Sequence, residues 1–165
     1  MAEFGLFLST FTNRLDSKGR VSIPASFRAV LTRDGFEGLF VHPSVDAEAI
    51  DCGGHALLKE IDALLSTFPP YSEERDTLAV ALQGMSEMLK MDSEGRVVLS
   101  ESCKARAGIG TEATFVGMGH KFQIWEPERF LAHREKATSR VRDIRKSLGA
   151  QGGGAARPPW FGARE

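Results

Sequence analysis

Apolar and polar residues alternate in two short stretches near the start of the chain. Phe11, Asn13 and Leu15 take one side of an extended strand while Thr12, Arg14 and Asp16 take the other; Val21 and Ile23 then alternate with Arg20 and Ser22. A period of two marks a half-buried strand, so the stretches predict a β-hairpin. Its turn is Asp16-Ser17-Lys18-Gly19. Asp at the first turn position accepts from backbone amides, and Gly at the fourth adopts the positive φ that fits the twist of the strands. The pattern recurs 76 positions later without a gap: L-D-S-K-G-R-V-S-I-P from Leu15 aligns with M-D-S-E-G-R-V-V-L-S from Met91, with five of ten positions identical. An internal repeat of this kind sets the organisation of the whole chain.

Each copy runs into a short helix. Pro24 stands at a first helical position, where a missing amide costs nothing, ahead of Ala25, Phe27, Ala29, Val30 and Leu31. In the second copy Ser100 is the expected N-cap and Gly108 the stop. Strands are predicted at 38–42, 113–118 and 121–125, and helices at 55–66 and 73–89 on either side of Pro69-Pro70. A helix over 128–148 carries Phe130, Ala137, Val141, Ile144 and Leu148 near heptad spacing, interrupted by Arg134. The expected organisation is therefore a first unit (6–54), a helical connection (55–89), a second unit (90–127), a C-terminal helix (128–149) and a disordered, Gly- and Pro-rich tail (150–165).

Composition adds a charge asymmetry. The chain has 165 residues, 42% hydrophobic, with a formal net charge of −1. That average hides a segregation: residues 1–28 have a net charge of +2, residues 45–94 of −8 and residues 129–146 of +5. A basic face can attract a polyanion even on a protein of neutral total charge. No run approaches the ~20 apolar residues of a membrane span, and the N-terminus lacks a signal-peptide pattern, so a cytoplasmic location is expected.

No catalytic constellation emerges. His42, His55, His120 and His133 lack a neighbouring nucleophile pattern, and no phosphate-binding glycine loop is present. Cys52, read as lying in a loop, and Cys103 give no disulfide framework, and two cysteines with four scattered histidines do not supply a zinc site. No enzyme activity, metal, cofactor or small-molecule substrate is expected. The strongest candidate for function is the first hairpin tip. Asp16 and Arg20, like Asp92 and Arg96, stand four apart and face each other across the turn. Turn chemistry alone accounts for the two Asp, but it does not call for the arginine. Arg14, Lys18 and Arg20 put three cations around a tip, completed by Ser17 and Gly19, with backbone amides nearby to help cradle phosphate. The second tip has Lys90 and Arg96 but carries Glu94 where the first has Lys18, so the first tip is expected to face DNA and the second to be its weaker counterpart. The basic C-terminal helix offers a rival binding surface for DNA, against the plainer reading of a solvated face on a helix docked on the barrel or a neighbouring subunit, and Trp160 is read as part of an inert tail or a docking peptide.

The combination of N-R-L-D-S-K-G-R-V-S-I-P-A-S-F-R, M-D-S-E-G-R-V-V-L and K-F-Q-I-W-E-P-E-R-F closely resembles the MraZ family of bacterial transcription regulators, over residues 6–148. The resemblance implies an α+β fold in which two tandem AbrB-like swapped-hairpin units form a pseudo-two-fold barrel, with linking helices and a long C-terminal helix. It implies a nucleoid-associated, ring-shaped homo-oligomer that binds direct repeats in the promoter of the division and cell-wall gene cluster. It places the DNA-binding motif on Asp16 with Arg20 and on Asp92 with Arg96, and says little about 46–54, which reads as an insertion. The alternative is a ring-forming scaffold that binds DNA only nonspecifically.

Overall fold

In the computed structural model, which describes residues 5–151, the two halves of the repeat exchange strands. The first half contributes β1 (Thr10–Arg14), β2 (Arg20–Ser22), α1 (Ala25–Arg33), β3 (Leu39–Pro43) and β4 (Ile50–Gly53). A helical connection follows, made of α2 (His55–Leu65) and α3 (Glu73–Ala79), which runs into a π-helical turn at Val80–Gly84. The second half contributes β5 (Glu87–Leu89), β6 (Arg96–Val98), α4 (Glu101–Ala107), β7 (Glu112–Gly117) and β8 (Phe122–Trp125). The first tip closes as an ordinary turn, with the Asp16 amide donating to the Arg20 carbonyl at 2.9 Å, but the strands then part. β1 pairs antiparallel with β7, while β2 pairs antiparallel with β6. One link between β1 and β2 is a hydrogen bond from Asn13 Nδ2 to the Ser22 carbonyl, 2.8 Å.

The six-stranded sheet has the order β1-β7-β8-β4-β3-β5. Exchanging each strand for its repeat counterpart reads this order backwards, so the sheet has a pseudo-two-fold relation at the β4–β8 pair. The barrel expected from the resemblance is not formed. β1 and β5 end the sheet at opposite edges, and β2 and β6 make a separate two-stranded ladder, so the hydrogen-bonded order is open. The fold is mixed α+β with a mainly antiparallel sheet, and among the described residues it has five α-helices.

Two strands depart from the sequence reading. Residues 87–89 form β5 rather than the end of a helix, because Leu89 and Met88 pair with Leu39 and Phe40 of β3. Residues 50–53 form the buried strand β4 between β3 and β8 rather than part of an insertion or loop, and Cys52 is enclosed in the core. The core gathers Phe7, Phe27, Phe115 and Phe122 with Val21, Ile23, Val97 and Leu99, which both ladder strands point inward or lead to. Phe27 and Phe122 sit with ring centroids 4.7 Å apart. A second cluster sets Leu57, Ile61 and Leu65, spaced one helical turn apart on α2, against Phe40 and Leu82.

From residue 128 on, the described residues form a separate unit. Within it α5 (Pro127–Gln151), 25 residues and about 37 Å long at ~1.5 Å per residue, leaves Val141, Ile144 and Leu148 exposed. The tail expected to be disordered lies, from residue 152 on, outside the described residues, as does Trp160.

Candidate nucleic-acid interface

Both Asp-to-Arg pairs predicted by spacing are formed. Asp16 Oδ1 accepts from the amides of Lys18 and Arg20, each at 2.9 Å, and Oδ2 accepts from Arg20 Nε at 2.6 Å. Asp92 repeats the pattern: Oδ1 accepts from Glu94 and Arg96 amides at 2.9 Å, and Oδ2 from Arg96 Nε at 2.9 Å. Gly19 and Gly95 close the turns with φ of 77° and 79°. The Arg20 amide is the main reason the Asp16 carboxyl is held below its ordinary pKa; the Arg96 amide does the same for Asp92. Both carboxylates are ionised at neutral pH in any case, and hydrogen bonds that favour the charged form keep them so further into acid, so each guanidinium stays pinned by Nε.

The tips meet through β2 and β6. Arg20 stands opposite Val98, Val21 opposite Val97 and Ser22 opposite Arg96. The ladder continues past its ends through hydrogen bonds from the Ile23 amide to the Gly95 carbonyl, 2.9 Å, and from the Leu99 amide to the Gly19 carbonyl, 3.3 Å. Val21 and Val97 are buried, so by strand alternation Arg20, Ser22, Arg96 and Val98 share the outward face. The structure thus joins Arg20 and Arg96, which sequence reasoning assigned to separate loops, on one ribbon.

The tips also differ in the way Glu94 suggests. Arg96 Nη2 binds Glu94 Oε2 at 3.2 Å as well as Asp92, whereas among the described residues Arg20 has Asp16 as its ion-pair partner and no second carboxylate. Glu94 therefore does more than replace Lys18: it occupies a donor of the neighbouring arginine. Arg14 is exposed at the end of β1, opposite Glu112, and Lys90 is exposed just after β5. Ser17, Lys18 and Gly19 make the tip itself.

Two residues behind the tips were missed in the sequence. Arg28 of α1 lies over Gly95, with Nε donating to the Ile23 carbonyl at 3.1 Å, and Lys104 of α4 has Nζ 3.8 Å from where a side chain on Gly19 would begin. Arg28 and Lys104 are 76 apart, the repeat offset, and both are basic. Extending the repeat comparison into the helices would have found them. Both Gly19→Ala and Gly95→Ala incur the left-handed backbone cost of about 1–2 kcal/mol, but a methyl on Gly95 falls inside the Arg28 side chain, while one on Gly19 meets Lys104 at ordinary contact distance. Urea unfolding should therefore show Gly95→Ala as the more destabilised by about 1 kcal/mol, the worth of the displaced Arg28 hydrogen bond.

Two repeat halves that exchange strands and carry an arginine-bearing two-stranded ribbon on their outer face define an α+β repeat-protein class. The chain belongs to the MraZ family. The sequence profile of the family described as "MraZ protein, putative antitoxin-like" matches residues 84–146. The chain is similar to the transcriptional regulator MraZ of Beijerinckia indica, 68% identical over 161 residues that cover 96% of this chain and 98% of the relative. The protein of the same name from Methylocella silvestris is 64% identical over 161 residues, with the same shares. That of Rickettsia akari is 38% identical over 143 residues, 87% of this chain and 96% of the relative. These names support a regulatory rather than an enzymatic role. Among the described residues no helix is long and apolar enough to cross a membrane.

Proposed function

We propose that this protein is a sequence-specific DNA-binding transcription regulator that reads duplex DNA with the β2–β6 ribbon. The observation that carries the reading is the pairing of Arg20 and Arg96, each pinned by its own Asp, on one exposed ribbon face. A two-stranded ribbon fits the major groove, where a guanidinium matches the two acceptors on a guanine edge. Arg20 reads bases and Arg14 clamps the backbone; Lys18 contacts phosphate; Ser17 and Gly19 shape the tip. Asp92, Arg96 and Lys90 form the weaker counterpart, with Arg96 partly occupied by Glu94.

The finer reading takes each half as an AbrB-like unit, several chains as a ring, and the target as direct repeats ahead of the division and cell-wall genes. The protein would then act in the cytoplasm, at the nucleoid. A ring suits a modest contact, since linked ribbons on successive repeats gain affinity through effective concentration.

Binding of labelled upstream DNA at moderate salt, with scrambled DNA as competitor, tests this. A complex that survives the competitor supports the regulator. Retention erased equally by both competitors contradicts it and favours the scaffold alternative. Lys18→Glu is expected to weaken binding and lower the slope of log affinity against log salt by about one unit for each phosphate it no longer neutralises. Glu94→Lys is expected to strengthen binding by freeing Arg96. Undiminished binding by Lys18→Glu, or weaker binding by Glu94→Lys, would reverse the assigned ranking of the tips.

A further inference from the structure

The ribbon face carries an apolar side chain that the core does not enclose. Strand alternation turns Val98 outward, 53% exposed, between the inward Val97, which is 1% exposed, and Leu99, which is 2% exposed. It sits directly across the ladder from Arg20, whereas its repeat counterpart Ser22, 76 positions earlier, sits across from Arg96. Cross-strand partners have Cβ atoms ~5 Å apart, and residues two apart along a strand are ~7 Å apart, about two base-pair steps of ~3.4 Å. The outward face is thus a four-cornered patch: Arg20 beside Val98 at one end, Arg96 beside Ser22 at the other.

We propose that Val98 is a specificity-determining residue that packs on the C5-methyl of a thymine next to the base read by Arg20; this rests on the DNA-binding reading above. Of the four bases only thymine offers a methyl in the major groove, and an apolar side chain is its ordinary partner. Ser22 can accept from or donate to any base, so the other end of the patch makes a less exclusive demand. The backbone of the ribbon is two-fold, but its side chains are not. Such a ribbon has a direction, and a protein with a directional reading head suits sites repeated head to tail rather than palindromes.

The test compares two duplexes of the upstream sequence, one with thymine and one with uracil at every thymine position, which removes the methyl and keeps the base pairing. Fluorescence anisotropy is read for wild type and Val98→Ala, with scrambled competitor throughout. Wild type is expected to bind the uracil duplex about three- to tenfold more weakly, the worth of burying about one methyl per ribbon. Val98→Ala should bind thymine DNA as weakly as wild type binds uracil DNA, and show no further loss on uracil. Val98→Thr, which keeps a methyl in the same shape, should retain most of the discrimination. Thermal melts of both variants within a few degrees of wild type would confirm that folding is not the cause. Wild type binding both duplexes specifically and equally, or Val98→Ala still discriminating between them, overturns the assignment of Val98 while leaving DNA binding intact. Failure of wild type to bind either duplex specifically overturns the DNA reading and this inference with it.

Discussion

Arg20→Ala is expected to reduce affinity for the upstream DNA to the level shown for scrambled DNA, with an unchanged elution volume on size exclusion. A bidentate arginine contact to a base discriminates by about 1–3 kcal/mol, roughly 5- to 150-fold, and the loss compounds when several ribbons act together. Folding should hardly notice. Arg20 bonds Asp16 at the partly exposed surface of the tip, where solvent screens an ion pair and leaves it little weight in stability, while the Asp16 carboxylate keeps both of its backbone amide donors. Anisotropy titration paired with a thermal melt separates the two effects. Specific affinity unchanged by Arg20→Ala would remove this residue from the interface.

Asp51→Ala is expected to have the opposite profile, a large loss of stability with the ribbon untouched in sequence. Asp51 is buried on β4 and holds Lys121 Nζ and Gln123 Nε2, each at 2.8 Å, while Gln123 Oε1 in turn accepts from Trp125 Nε1 at 2.9 Å. His42, the register partner of Asp51, lies on its other side, with Nε2 3.7 Å from Oδ2. The network bridges β3, β4 and β8 at the middle of the sheet, where the two halves meet. Removing the carboxylate leaves a lysine ammonium and an amide without their acceptor in a largely dry place. Breaking such a pair costs about 3 kcal/mol or more, roughly 10 °C in melting temperature for a domain of this size. Asp51→Asn keeps one carbonyl acceptor and should lose less. A melt of Asp51→Ala within 2 °C of wild type would show that the network contributes little.

What was legible in the sequence follows from what is local. The Asp-Ser-x-Gly-Arg tip reads directly, because its carboxylate, amides and glycine all lie within five residues and make their bonds among themselves. α5 reads from its composition for the same reason. Long-range pairing was not legible. Ile50 to Gly53 show no period because both faces of β4 are covered, and a polar Asp51 in the middle looks like a loop until Lys121 and Gln123 are placed beside it. Leu82 and Leu89 sit at seven-residue spacing that suits a helix, yet the chain leaves the helix after Gly84 because Leu89 finds Leu39 across the sheet. The candidate site shows the same division. Arg20 and Arg96 were each identifiable, but that they share one ribbon depends on β2 pairing with β6 rather than staying with β1. The open sheet in place of a barrel is likewise a matter of which edges pair.

Whether the β2–β6 ribbon reads a repeated DNA sequence can be decided by hydroxyl-radical footprinting of the wild-type protein on the DNA upstream of its gene. Short protected windows at regular spacing are expected, and they should vanish with Arg20→Ala at the same protein concentration. Uniform protection along the fragment, or windows that persist in Arg20→Ala, would contradict a base-reading ribbon.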